Sequence, residues 1–277
     1  MNIGGRFGTD HLGLDYKHLH AYFMEAGHKV DSRYGETREI IDFRLEIERP
    51  ENCIVDRKGF SVRFMNAEID QFIAGVHDGD ILHAVSPQAA SMITEKTNYG
   101  VRIGRQLATV VDELQSHRDS RRAVAYVGHP SDLEHLRNHP AERVDRANEI
   151  ACACVWHWLV RDDKVHMIVY GRSWDIVWGL CYDVTSAVAV QMAVASALGL
   201  PLGTFVFHAG SAHVYERHYD LEIRDRDASL SLPWLVDGDI RATQRAAYDR
   251  MRLAKQPPLG YSVHSVNAIR EFYDGIA

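Results

Sequence analysis

The chain lacks a surplus of positive charge: 31 Lys and Arg stand against 38 Asp and Glu, for a formal net charge of −7. A non-specific nucleic-acid binder needs a broad basic surface to displace counterions, so that class is excluded. Any phosphate handled here must be small and met by a few placed arginines. Cysteine is scarce, with Cys53, Cys152, Cys154 and Cys181 the four present. That number in a chain of this size does not make a disulfide framework, so a cysteine that matters does so as a thiol. Long apolar runs are missing as well. The longest, Val184 to Leu200, is broken by Thr185, Ser186, Gln191 and Ser196, short of the roughly 18 uninterrupted residues of a bilayer span. The opening MNIGGRFGTDHLG has no basic flank followed by an apolar stretch, so no signal peptide and a cytoplasmic location are expected. No repeat, low-complexity tract or Gly/Pro/Ser linker divides the chain, and one domain over residues 1–277 is expected. No histidine is followed two positions later by glutamate and there is no Cys-x-x-Cys, which excludes a zinc deaminase. His135 and His139 have the spacing of a metal pair, but their segment is strongly polar and His139 precedes a proline. They are taken as solvated, and no metal is expected.

What is present is an ordinary globular composition, 46% hydrophobic and 25% charged, long enough to bury a large core. Helical spacing runs from Leu12 to Gly27, from Asn66 to Gly75 and from Gln106 to Ser116. Strand patterns cover Glu39 to Glu48, Arg121 to Val127, Ala151 to Val160 and Val165 to Tyr170. Thr204 to Tyr215 reads as strand broken by a turn at Ala209 and Gly210. Val184 to Leu198 is apolar on nearly every face and stops at Gly199, as a fully buried helix would. One α+β domain is expected, a mostly antiparallel sheet packed against helices.

Several side chains could carry chemistry. In IACACVWHWLV a strand would put Cys152, Cys154, Trp156 and Trp158 on one face. A thiol there is either a buried structural group or, beside a positive charge, a thiolate. Candidate charges are Arg33, the pair Arg121 and Arg122, and Arg172 next to Ser173. The adjacent arginines could reach one ligand together only from a twisted strand end or a loop. His213 and Tyr215 sit two apart on a strand, so both tips share a face and suit a sugar hydroxyl.

Taken together these motifs resemble the thymidylate synthase superfamily. The order from Cys152 runs through YxRSxD (Tyr170, Arg172, Ser173, Asp175), Gly179-Leu180, a polar residue opening the apolar helix, and GSAHVY (Gly210 to Tyr215). Upstream, QLATVVDELQSHRDSRR and Asn98-Tyr99-Gly100 match, and SRYGETREI and NAEIDQFIAG are weaker matches. The resemblance implies a homodimer formed through a sheet face, with a pyrimidine nucleoside monophosphate and 5,10-methylenetetrahydrofolate as partners. It implies Cys152 as nucleophile and Glu68 as the acid/base group that orders water. Arg33, Arg172 and Ser173 would hold the phosphate, with Arg121 and Arg122 reaching it from the second subunit. His213 and Tyr215 would bind the sugar, and Asp175 and Gly179 the folate.

Departures are informative. The family's Pro-Cys-His is Ala151-Cys152-Ala153, its GLP is Gly179-Leu180-Cys181, and an expected tryptophan between Gly75 and Asn98 is missing. The segment REFYDGIA does not resemble the apolar tail that closes over folate in the methylating members. Asp183 stands where uracil-specific members carry asparagine. A carboxyl group that accepts from the C4 amine and shares a proton with N3 suits cytosine. The resemblance therefore implies 5-hydroxymethylation of a cytidine monophosphate, dCMP before CMP. Two alternatives are a thymidylate synthase acting on dUMP and a non-catalytic nucleotide-binding member. On local grounds alone, Asp183 could equally be the N-cap of the helix that follows.

Overall fold

The computed structural model describes residues 3–91, 93, 98–138, 150–256 and 266–275, the side chains of 89 and 135–138 excepted. Of the expected solvated pair, His139 and the side chain of His135 lie outside what is described. The chain begins with β1 (Arg6–Thr9), α1 (Leu12–Ala26), β2 (His28–Ser32), β3 (Gly35–Ile47), β4 (Asp56–Arg57) and α2 (Val62–Ala74). Then come α3 (Gly79–Val85), α4 (Pro87–Ala90), α5 (Tyr99–Ser116), β5 (Val124–Tyr126) and α6 (Pro130–Asn138). The second half holds β6 (Ala153–Arg161), β7 (Lys164–Gly171), β8 (Trp174–Asp175), α7 (Leu180–Leu198), β9 (Leu202–Tyr215), β10 (Ile223–Arg224), α8 (Ile240–Ala254) and α9 (Val266–Asp274). The main sheet has the order β1-β3-β9-β7-β6-β5, with β2 on β3 and β8 on β9. Its β2/β3, β3/β9, β5/β6 and β6/β7 ladders are antiparallel, and β1/β3, β7/β9 and β8/β9 are parallel. The α+β expectation holds, with a parallel joint at the centre of the sheet.

Helix α7 is the spine of the core. Almost all of its side chains are buried, and Gln191 bridges the ends of β7 and β9 by donating to the carbonyls of Val165 (2.8 Å) and Gly203 (3.1 Å). It is long and apolar enough to cross a membrane, yet it is a buried core helix. Burying each Val or Leu on it contributes about 1.5–3 kcal/mol. Its start corrects the sequence expectation: the helix begins at Leu180 with Gly179 as N-cap, not at Val184. Asp183 is therefore inside the first turn, and the N-cap alternative for it falls.

Helix α2 likewise starts before its expected boundary. Ser61 is its N-cap, accepting from the N–H of Phe64 at 3.1 Å, and Gly75 closes it with φ of 72°. A Cβ on Gly104 of α5 would lie 2.2 Å from the Gly75 Cα, so the two glycines let α2 and α5 approach closely. Helix α5 begins at Tyr99, with Asn98 as N-cap accepting from the Gly100 N–H at 2.9 Å. Helices α8 and α9 pack on α2. Asp70 is 1% exposed and accepts from Arg250 Nε at 2.9 Å, while Ile269 and Tyr273 are buried, so the segment before residue 275 is docked on the helical layer.

Three strand readings are corrected. The turn expected at Ala209 and Gly210 is a kink inside one continuous strand, β9. Buried positions are Phe205, Phe207 and Ala209 before it and Ala212 and Val214 after it, so the alternation changes phase. The facing strand does the same around Asp42, whose φ is 56°. A glycine within a strand pattern marks such an irregularity as readily as a turn. The second correction concerns β6, whose register against β7 shifts between Ala153 and Val155. Cys152 lies before the strand, and the single face expected for Cys152, Cys154, Trp156 and Trp158 does not exist. The expected strand from Arg121 shrinks to Val124–Tyr126, which leaves Arg121 and Arg122 in the preceding loop.

Candidate functional site

Cys152 is held at both ends of its peptide. Its N–H donates to Tyr99 Oη at 3.3 Å, and its carbonyl accepts from the backbone N–H of Arg172 at 2.9 Å. The Arg172 guanidinium donates to the carbonyls of Ala151 (3.2 Å) and Ile150 (2.9 Å). One arginine thus clamps the segment carrying the thiol. The clamp places Cys152 in the shared wall of two adjoining cavities. The smaller, about 300 Å³, is lined by Glu68, Phe72, Tyr99, Trp178, Gly179 and Asp183 as well as Cys152. The larger, about 710 Å³, is lined by Arg33, Arg172, His213, Tyr215 and Arg217. Ser173, Asp175 and Trp178 face both.

The kink in β9 aims the sugar candidates. Beyond it Ser211, His213 and Tyr215 point into the larger cavity, with the rings of His213 and Tyr215 edge to face at 4.9 Å. Burial holds the His213 pKa below its usual value, so the imidazole is neutral near pH 7. Arg217 lies over the Tyr215 ring at 4.2 Å, and Ser211 donates to Glu39 at 2.5 Å. Arg33 stands over the Tyr34 ring at 5.3 Å on the same cavity.

Of the residues singled out from the sequence, the structure gathers Cys152, Glu68, Asp183, Arg33, Arg172, Ser173, His213, Tyr215, Asp175 and Gly179 around these two cavities. It does not bring in Arg121 or Arg122. Both are exposed and line neither cavity, and Arg122 donates to Glu113 from Nη2 at 2.9 Å. None of the cysteines is in a disulfide, and Cys154, two positions beyond Cys152, lines neither cavity. Among the described residues there is no cluster of His, Cys, Asp and Glu able to hold a metal.

The acids carry unusual electrostatics. Burial pushes the Asp183 pKa up to about 7, against a hydrogen bond from Trp174 Nε1 (3.2 Å) that lowers it. Glu68 rises to about 8, first through burial and then through the charge of Asp183, with Ser186 Oγ donating to it at 3.0 Å. Asp183 ionises first and its charge then hinders Glu68. Both folded values lie above those of an unfolded chain, so the folded state binds more protons over roughly pH 4.5 to 8. Stability present at acid pH is therefore lost as pH rises through that window. Urea denaturation of the ligand-free protein at several pH values is expected to show this decline, and Glu68→Gln is expected to flatten it.

Among the cavity residues not assigned from the sequence, several make contacts that shape the site. Tyr99 was read only as part of a turn, yet it touches the thiol segment, and burial raises its pKa well above the ordinary tyrosine value. Trp174 contacts Asp183 from nine positions away in sequence, a distance no local period reports. Trp178 is pinned by His218, whose Nε2 accepts from the indole N–H at 2.8 Å, and by the Arg57 guanidinium 5.0 Å from its ring. Burial lowers the pKa of His218, consistent with the neutral form that this bond needs. The signal that could have found the tryptophans is their placement on either side of Asp175 in RSWDIVW.

A mixed sheet backed by a buried apolar helix, with a thiol and two raised carboxyls on the cleft between them, defines the class: an α+β protein with a cleft that holds a thiol beside two buried acids. The family model described as thymidylate synthase matches residues 15–236, and the chain belongs to that family. A crystal structure of thymidylate synthase from T4 phage is similar in fold. It is 18% identical, the match covers 84% of this chain and 91% of that one, and the TM-score is 0.63. Family membership makes a one-carbon transferase acting on a pyrimidine nucleotide the frame for the cleft.

Proposed function

We propose that the protein transfers a one-carbon unit to C5 of a cytidine monophosphate, dCMP before CMP, and completes it with water to give the 5-hydroxymethyl nucleotide. The observation that carries this reading is the carboxyl of Asp183 in the wall of the small cavity, close enough to Glu68 to raise its pKa. An asparagine at that position would offer uracil a donor and an acceptor; a carboxyl with a pKa near 7 offers cytosine an acceptor for the C4 amine and a proton to share with N3. In this reading Arg33, Arg172 and Ser173 hold the phosphate, and His213 and Tyr215 meet the sugar. Arg121 and Arg122, exposed on this protomer, reach a partner's phosphate across a sheet-face homodimer.

The Cys152 thiolate adds to C6, the C5–C6 double bond gives up its electrons, and C5 becomes a carbon nucleophile. The residues around the cavity suit a folate: Phe72, Ile93 and Trp178 form an aromatic and aliphatic wall, and Asp175 projects a carboxylate into it. Asp175 Oδ1 is engaged by the N–H groups of Val177 (2.8 Å) and Trp178 (3.2 Å), which fixes the carboxylate beside that wall. Bound 5,10-methylenetetrahydrofolate supplies the carbon at the formaldehyde oxidation level, so water alone balances the equation and no reductant is consumed. Glu68, protonated near neutral pH, donates to or orders water through its position beside Asp183 and Ser186. C5 would attack that carbon, and loss of the C5 proton with release of tetrahydrofolate would leave an exocyclic methylene; water adds to it as the bond from C6 to Cys152 breaks, which completes the turnover.

The test is mass spectrometry of the product from CMP, dCMP and dUMP with methylenetetrahydrofolate. A hydroxymethylcytidylate is expected. A methylated uridylate with dihydrofolate would overturn the reading in favour of reductive methylation, and no product from any nucleotide would favour a non-catalytic binder.

A further inference from the structure

A neutral carboxyl group is symmetric. With its proton on one oxygen it offers an acceptor and a donor in one order, and with the proton on the other it offers the reverse order. The first order fits cytosine and the second fits uracil, so the preference of Asp183 for cytosine is as strong as the hold on the first order. Something must hold the order. Trp174 is placed to do so. Its indole N–H, a donor with no acceptor capacity, points at one oxygen of Asp183, Oδ2, at 3.2 Å. That bond favours Oδ2 as the acceptor oxygen, since a carbonyl oxygen accepts better than a hydroxyl, and so favours a proton on Oδ1.

The indole is itself immobile. Trp174 is 2% exposed and stacks on Phe207 with ring centroids 3.6 Å apart and planes 5° from parallel. Its backbone is tied into the sheet opposite Ala212 as part of β8. Gly179 keeps the corner open, because a Cβ there would lie 3.2 Å from Asp183 Oδ2 and 3.3 Å from Trp174 Cδ1. Both Trp174 and Asp183 line the small cavity with Cys152.

We propose that Trp174 is a positioning residue that sets base specificity by fixing which oxygen of Asp183 accepts and which carries the proton, with Oδ2 directed at the C4 amine of cytosine and Oδ1 at N3. This rests on the cytosine reading of the same site. It implies that Trp174→Phe, which keeps an aromatic ring on Phe207 and removes the N–H, frees the carboxyl to take the uracil order. A merely structural role would weaken the two nucleotides alike. The specific readout is therefore the ratio of dissociation constants for dUMP and dCMP, measured by calorimetry without folate, in the wild type, W174F, D183N and the double variant.

The W174F ratio is expected to fall about tenfold, the scale of one hydrogen bond, with dCMP affinity changed much less. The double variant is expected to favour dUMP more than D183N does, because an asparagine amide no longer held by the indole can turn to meet uracil. An unchanged or larger ratio in W174F with binding intact overturns the proposal. If D183N also leaves the ratio unchanged, the cytosine reading falls with it; if D183N lowers the ratio and W174F does not, only the role of Trp174 falls. Should W174F fail to fold, benzothienylalanine at position 174, with sulfur in place of the N–H and nearly the same shape, allows the same measurement, and a lowered or unchanged ratio there supports or overturns the proposal in the same way.

Discussion

Cys152→Ala is expected to lower turnover by on the order of 10⁴-fold or more, the scale of removing a nucleophile whose covalent step has no substitute. Tritium release from C5-labelled dCMP reports it, because the C5 proton leaves only after C6 has been attacked. Nucleotide binding is expected to survive, since the side chains proposed to hold phosphate and sugar stand on other segments: Arg33 between β2 and β3, Ser173 before β8, and His213 and Tyr215 on β9. Cys154→Ala is the control. Its thiol sits 3.8 Å from the Cys152 carbonyl and lines neither cavity, so its loss is expected to leave turnover unchanged. Intact mass spectrometry with a 5-fluoro-pyrimidine nucleotide is expected to trap an adduct in the wild type and in C154A but not in C152A. Adduct formation in C152A would remove Cys152 from the mechanism.

Asp183→Asn is expected to lower the preference for dCMP over dUMP by about 10²-fold, since one or two buried polar contacts at about 1–3 kcal/mol each change from matched to unmatched. Competition between labelled dCMP and dUMP in the tritium-release assay measures it. The shift is expected to be incomplete, because an amide that turns to the uracil order gives up the hydrogen bond that Trp174 donates to the oxygen at that corner. The same substitution removes an acid whose folded pKa lies near 7, above the unfolded value, so D183N is also expected to be less destabilised by rising pH than the wild type. An unchanged nucleotide preference would separate Asp183 from base recognition altogether.

Much of the frame was legible in the residues. Helix and strand positions followed from apolar spacing, and the stops at Gly75 and Gly199 were read correctly because both glycines adopt the left-handed conformation that ends a helix. Errors fell where tertiary packing overrode a local signal. Gly210 looked like a turn because glycine in isolation says only that the backbone departs from regularity; pairing with β3 makes it a kink in one strand. The apolar helix looked as if it began at Val184, which left Asp183 open to a cap reading because aspartate before an apolar run is often one, whereas Leu180, Cys181 and Tyr182 join the same buried helix and move its start back by one turn.

The residues alone therefore determined the kind of fold, the family resemblance and the inventory of thiol, acids and arginines, because periodicity and residue chemistry are local properties. They did not determine which of these groups share a desolvated space. Asp183 and Glu68 come from two helices, Trp174 from a short strand, and Cys152 from a loop clamped by Arg172; only their convergence raises the two carboxyl pKa values and places a donor on Asp183. Solvent exclusion and hydrogen-bond direction depend on groups distant along the chain. For that reason the protonation order of Asp183, on which the proposed choice of base turns, belongs to the tertiary structure and not to the spacing of residues along the chain.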